Sequence, residues 1–252
     1  MTTAINAGGV METHVWEAPT AKTPVRATVL VRPLSHGFNA ASVKGEICAL
    51  TVADAAVFLA AAACTTGTVV IRNWSSIAEN PSATILREAL ASMGAYVVSS
   101  KEGLTCTSRS TSGHLSGITI DLADNPDLIA PLLVLSVLAD EPSELRGLTA
   151  HHKITEPVVA NLNRIGGSIE WNGSTARVFP RPLHGGAWVG AGTAASSALG
   201  AVLALVVPGI RVYGVEMDSR EGRAFLKEWN SALDADEHIL PGATRGTVPY
   251  YR

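Results

Sequence analysis

Three stretches of this chain are apolar on every side. Residues 55–63 read Ala-Ala-Val-Phe-Leu-Ala-Ala-Ala-Ala, residues 129–135 read Ile-Ala-Pro-Leu-Leu-Val-Leu, and residues 194–205 hold only alanine, leucine and valine besides two serines and a glycine. A helix without a polar face must be buried all round. The pattern therefore predicts three helices packed on one another, with sheets outside them, the reverse of the usual layering. A further leucine-bearing helix is expected over 224–229. Runs rich in β-branched and aromatic residues predict strands over 68–72, 95–98, 117–121, 168–171 and 210–213.

The chain also repeats itself. Leu90-Ala91-Ser92-Met93-Gly94-Ala95-Tyr96-Val97 resembles Leu162-Asn163-Arg164-Ile165-Gly166-Gly167-Ser168-Ile169, and the glycines at 94 and 166 lie 72 residues apart. Each segment reads as a helix end, a glycine cap and a strand. The predicted fold is an inside-out α/β lobe of three βαβαββ-type repeats with buried helices. It spans 18–233, between tails over 1–17 and 234–252.

Composition sharpens this picture in a few places. The chain has 252 residues, 47% of them hydrophobic and 16% charged, with a mean hydropathy of +0.24. A net charge of −3 with scattered Lys and Arg gives no footprint for nucleic acid or an anionic membrane. The longest apolar runs are too short to cross a bilayer. Three widely spaced cysteines, Cys48, Cys64 and Cys106, form no CxxC pair and suggest neither zinc nor a disulfide framework. Free thiols and the lack of a signal-type N-terminus lead us to expect a cytoplasmic protein. No metal or cofactor is expected.

Several segments resemble the EPSP synthase family. Residues 23–31, Thr-Pro-Val-Arg-Ala-Thr-Val-Leu-Val, are similar to its first strand, and residues 53–62 to its SSAxxFLAAA helix. Met93-Gly94-Ala95, and Pro126-Asp127 before an apolar helix, follow in the family's order. The resemblance runs from about Ala18 to about Leu233. It implies a two-lobed enolpyruvyl transferase with its active site between lobes, and a chain that leaves the first lobe after the opening strand to build the second. Here the excursion is missing near residues 39–44, so the second lobe is expected to be absent.

The resemblance also allows an audit of the chemistry. Enolpyruvyl transfer needs cations to hold a phosphate- and carboxylate-bearing donor, and acid/base groups to move protons at its methylene carbon. Where the family has a lysine after the opening strand, this chain has Ser35, followed by His36. The arginine a few residues later has become Ala40, although Asn39 matches. The family's KETDR motif is matched by Lys153-Ile154-Thr155-Glu156-Pro157, keeping the lysine but not the glutamate or arginine. Its DHR motif falls on Thr193-Ala194-Ala195, and a late lysine on Arg220.

Asp127 matches a catalytic aspartate, but its place before a helix also suits a cap or dipole partner. His151 and His152 form the densest polar cluster with Lys153, though adjacent histidines on a strand would face opposite sides. The glycines of 190–195 superficially resemble a dinucleotide loop but stand late in the chain. Candidate catalytic residues are thus Asp127 and Lys153, and candidate binding residues Ser35, His36, His151, His152 and Arg220.

Three functions stay open. One is a non-catalytic binding or accessory lobe that self-associates or takes a partner chain. The second is a repurposed isomerase, lyase or cyclase using the old cleft on a small anionic or biosynthetic metabolite. The third is a 3-phosphoshikimate 1-carboxyvinyltransferase-type enzyme completed by another chain.

Overall fold

The computed structural model describes residues 11–14, 28–31, 44–49, 51–65, 67–108, 114–190, 194–213 and 220–234. In chain order the elements are β1 (Met11–His14), β2 (Thr28–Val31), β3 (Lys44–Ile47), α1 (Val52–Cys64) and β4 (Thr68–Ile71). A single-turn α2 (Trp74–Ile77), α3 (Pro81–Ser92), β5 (Ala95–Ser100) and β6 (Gly103–Ser108) follow. The middle unit has β7 (Thr119–Asp121), a 3-10 turn (Pro126–Leu128), α4 (Ile129–Leu138), β8 (Ser143–Arg146) and a second 3-10 turn (Thr149–His151). It continues with α5 (His152–Arg164), β9 (Ser168–Trp171) and β10 (Ala176–Phe179). The chain then runs through β11 (Gly186–Val189), α6 (Ala194–Val206), β12 (Ile210–Tyr213) and α7 (Arg220–Asp234).

The strands form three four-stranded sheets, β3-β4-β6-β5, β7-β8-β10-β9 and β11-β12-β2-β1. Each begins with a parallel pair and continues with antiparallel neighbours. The third sheet takes its last two strands from the N-terminal part of the chain. Residues 11–14, which the hydrophobic pattern leaves in a tail, thus form β1 on the edge of that sheet. Pairing between strands more than 180 residues apart has no local signature, and a four-residue strand carries almost no periodicity of its own.

Helices α1, α4 and α6 form the centre, as their patterns predict. From Ala55 to Ala63 no residue of α1 is more than 1% exposed, and α1 packs against both α4 and α6. Alanine is the best helix former, and its small side chain lets three helices approach closely enough for all to be dry. The amphipathic helices lie outside this trio. Phe225 and Trp229 of α7 set their rings 5.0 Å and 5.9 Å from that of Phe58 on α1, an aromatic cluster that fixes α7 to the centre.

The repeat seen in sequence is a repeat in conformation. Gly94 and Gly166 share a φ of +97°, each ending an outer helix and turning the chain into an edge strand. Cys64 and Cys106 are buried, and burial pushes both thiols up to about 12. No described helix is long and apolar enough to cross a membrane.

Candidate functional site at the helix N-termini

In each unit the two helices follow the two strands of a parallel pair, so both start at the same end of the unit. Ser82, in the first turn of α3, donates its hydroxyl to Asn125 Oδ1 at 3.0 Å, joining that end to the turn that opens α4. Helix α5 runs antiparallel to β11. Arg164 near its C-terminus meets Ala187, and Asn161, a turn earlier, meets Val189. Its start therefore lies at the end where β11 hands over to α6. The helix N-termini gather on one end of the lobe, where partial positive charge and unpaired N–H groups favour anions.

Local chemistry at this end differs from helix to helix. Asp54 and Thr51 cap α1 reciprocally: Asp54 Oδ2 accepts from the Thr51 N–H at 3.1 Å, and Thr51 Oγ1 accepts from the Asp54 N–H at 3.1 Å. The Thr-x-x-Asp spacing is a short form of the capping box and could have been read from sequence. Asn80 caps α3 by accepting from the Ser82 N–H at 2.9 Å. The turn into α4 has no side-chain cap. Asp127 stands there exposed, and it makes no hydrogen bond or ion pair with any described residue. The capping role that its position suggested is not what its side chain does.

The two histidines part company for a reason the sequence reading missed. They lie at a helix start, His151 ending a 3-10 turn and His152 opening α5, not on a strand. His151 Nε2 donates to the Ala123 carbonyl at 2.7 Å, tying the start of α5 to the loop before Asp127. The His152 ring lies 5.0 Å from that of Trp171, directed toward β9. No sequence motif announces a bond from a ring nitrogen to a backbone carbonyl.

Beyond them, Lys153 is exposed, with no ion-pair partner among the described residues. Ile154 is 38% exposed, while Thr155 is buried and donates its hydroxyl to the His151 carbonyl at 2.9 Å. Pro157 stands inside α5 and lacks the N–H that would bond the Lys153 carbonyl.

Arg220 is the first residue of α7, in the same unit as α6. Ser35, His36, Asn39, Ala40 and Thr193 lie outside the described residues. The structure thus brings His151 and the Asp127 loop together, sends His152 toward β9, and leaves Asp127 and Lys153 without a partner among the described residues. Among the described residues no three His, Cys, Asp or Glu side chains cluster to hold a metal. A cleft of about 450 Å³ opens at the other end, where α4 and α6 finish, lined by Leu138, Asp140, Arg181, Pro182 and Pro208.

Comparison with known proteins agrees with this architecture. The family described as EPSP synthase (3-phosphoshikimate 1-carboxyvinyltransferase) matches residues 28–223. A curated 3-phosphoshikimate 1-carboxyvinyltransferase from Kocuria rhizophila is 29% identical over 205 residues, covering 77% of this chain and 45% of that protein. Among solved structures, the EPSP synthase of Acinetobacter baumannii matches with a TM-score of 0.56 at 18% identity, over 72% of this chain and 45% of that one. The enolpyruvyl transferase NikO of Streptomyces tendae matches with a TM-score of 0.50 at 15% identity, over 71% and 42%. The chain therefore spans a little under half the length of the relatives it matches.

Proposed function

Since this chain belongs to the EPSP synthase family, we propose that it serves as a binding or accessory lobe in small-molecule biosynthesis and does not by itself transfer an enolpyruvyl group. The first two turns of α5 carry this reading. Where the resemblance puts a proton-transferring glutamate and a donor-binding arginine, the chain has the exposed Ile154 and the half-buried Pro157, and the Thr155 hydroxyl is used within the helix. Ile and Pro supply neither a proton nor a charge. Phosphoenolpyruvate carries several negative charges, and each one desolvated without a partner costs several kcal/mol. Partial charges at helix N-termini, about half a unit each, suit a small anionic metabolite held loosely better than a trianion gripped for chemistry.

The test is phosphate release from phosphoenolpyruvate with shikimate 3-phosphate, with ligand-induced thermal shifts measured in parallel. We expect no turnover by the chain alone. Turnover that survives repurification and is lost on Asp127→Asn would overturn the proposal. The carboxylate of Asp127, without a partner among the described residues, favours one second reading, a repurposed enzyme working at the same end with Asp127 and Lys153 as its groups. The share of the relatives that the chain spans favours another, a transferase completed by a second chain. Adding the complementary half of the Kocuria rhizophila relative to the same assay separates that case, because activity would then appear only in the mixture.

A further inference from the structure

Among the described residues, the backbone of β5 is open on its outer side. Arg72 donates its N–H to the Ile47 carbonyl of β3 at 2.9 Å, so Val69 and Ile71 turn their backbone groups to β6. Their partners, Cys106 and Leu104, therefore face β4. Gly103, Thr105 and Thr107 face β5 and bond Ser100, Val98 and Tyr96. By the alternation of an antiparallel ladder, Ala95, Val97 and Ser99 direct their N–H and C=O groups out of the sheet. β5 is an edge strand, and no described residue bonds those groups.

The matching strand one repeat later is defended. Asn163 Oδ1 accepts from the outward N–H of Ile169 on β9 at 3.1 Å. Seventy-two residues earlier the equivalent positions are Ala91, which has no such group, and Val97. The solvent face of β9 carries Ser168 and Glu170, and that of β5 carries Tyr96 and Val98, 53% and 36% exposed. Other edges are occupied too. Asn161 bonds both the N–H and the carbonyl of Val189 on β11, and α7 packs along β3. Among the described edge strands, β5 alone combines six residues, no charge and no proline with Tyr96 and Val98 on its outer face, the features of an edge open to another strand.

We propose that a second copy of this chain occupies that edge, pairing β5 with β5 antiparallel about Val97. A twofold axis there sets Val97 opposite itself and Ala95 opposite Ser99 of the other copy, so every outward backbone group of those three residues finds a partner. The same register sets Tyr96 opposite Val98 of the other copy, twice. That is an aromatic–β-branched cross-strand pair on each side of the axis. The contact is isologous and closes at two copies, joining two four-stranded sheets into one of eight. It is independent of whether the helix N-terminal end performs any chemistry.

Two six-residue strands bury less than the roughly 1,200 Å² of a stable interface, so the dimer forms in a concentration-dependent way. Sedimentation of the 252-residue chain from about 1 to 500 μM, a range that brackets weak association, reads it directly. The wild type is expected to shift from monomer to dimer. Tyr96→Glu with Val98→Glu places like charges across the axis and should stay monomeric, at unchanged circular dichroism. Tyr96→Lys with Val98→Glu places opposite charges across it and should restore the dimer, more weakly as salt rises. A wild type that is monomeric throughout overturns the proposal. So does a Glu/Glu variant that dimerises as well as wild type, or a Lys/Glu variant that fails to recover.

Discussion

Gly200 lies in the middle of a buried helix, where alanine would ordinarily be the better residue. Replacing it with alanine gains about 1 kcal/mol in intrinsic helix propensity. The added methyl would stand 2.5 Å from Trp188 Cδ1 and 2.6 Å from Val212 Cγ2, well inside carbon–carbon contact distance. Neither neighbour can step aside easily. Trp188 is fully buried and its indole N–H is held by the Ser196 carbonyl at 3.0 Å, while Val212 is β-branched on the strand beside it. Overpacking of this kind costs about 1–3 kcal/mol and occasionally more, and two simultaneous collisions put Gly200→Ala at the upper end. We therefore expect a net loss of about 2 kcal/mol. For a chain of this size that lowers Tm by about 4–8 °C. Thermal unfolding followed by circular dichroism, with urea titrations to check the slope, measures it. A variant as stable as wild type, or more so, would refute the idea that α6 seats directly on the indole ring.

Two further outcomes follow from the same reading. At Gly94 an added Cβ meets nothing within 4 Å, whereas at Gly166 it meets His184 Cδ2 at 3.0 Å and the Pro182 carbonyl at 3.2 Å. Both have the same positive φ, so Gly94→Ala should cost about 1 kcal/mol for conformation alone and Gly166→Ala more, as paired urea titrations will tell. A thiol-reactive dye should modify the exposed Cys48 quickly in the native protein. It should reach Cys64 and Cys106 only on unfolding, because burial holds both near 12 and the thiolate is the reactive form.

Much of the architecture could be read one residue at a time. Alanine and leucine around the whole circumference of residues 55–63 leave such a helix nowhere to lie except inside others. The glycines at 94 and 166 mark turns because only they accept that φ cheaply. The candidate site was less legible. Asp127 has the sequence context of a cap, yet its side chain bonds nothing described. His151 and His152 are indistinguishable in sequence, and only the packing of α5 against the Ala123 loop and β9 sends one ring each way. Asn163 looks like any surface asparagine until the strand it shields is seen to end a sheet.

The sequence by itself determined which segments are buried, how many units there are and which ionisable groups the first two turns of α5 lack, since these depend on residue type and short spacing. Tertiary structure decided that β1 and β2 complete the third sheet, that the helix starts share one end, and that no described residue covers the edge of β5. Those depend on hydrogen bonds between residues far apart in the chain, and a backbone N–H carries no mark in its own side chain of which strand will accept it.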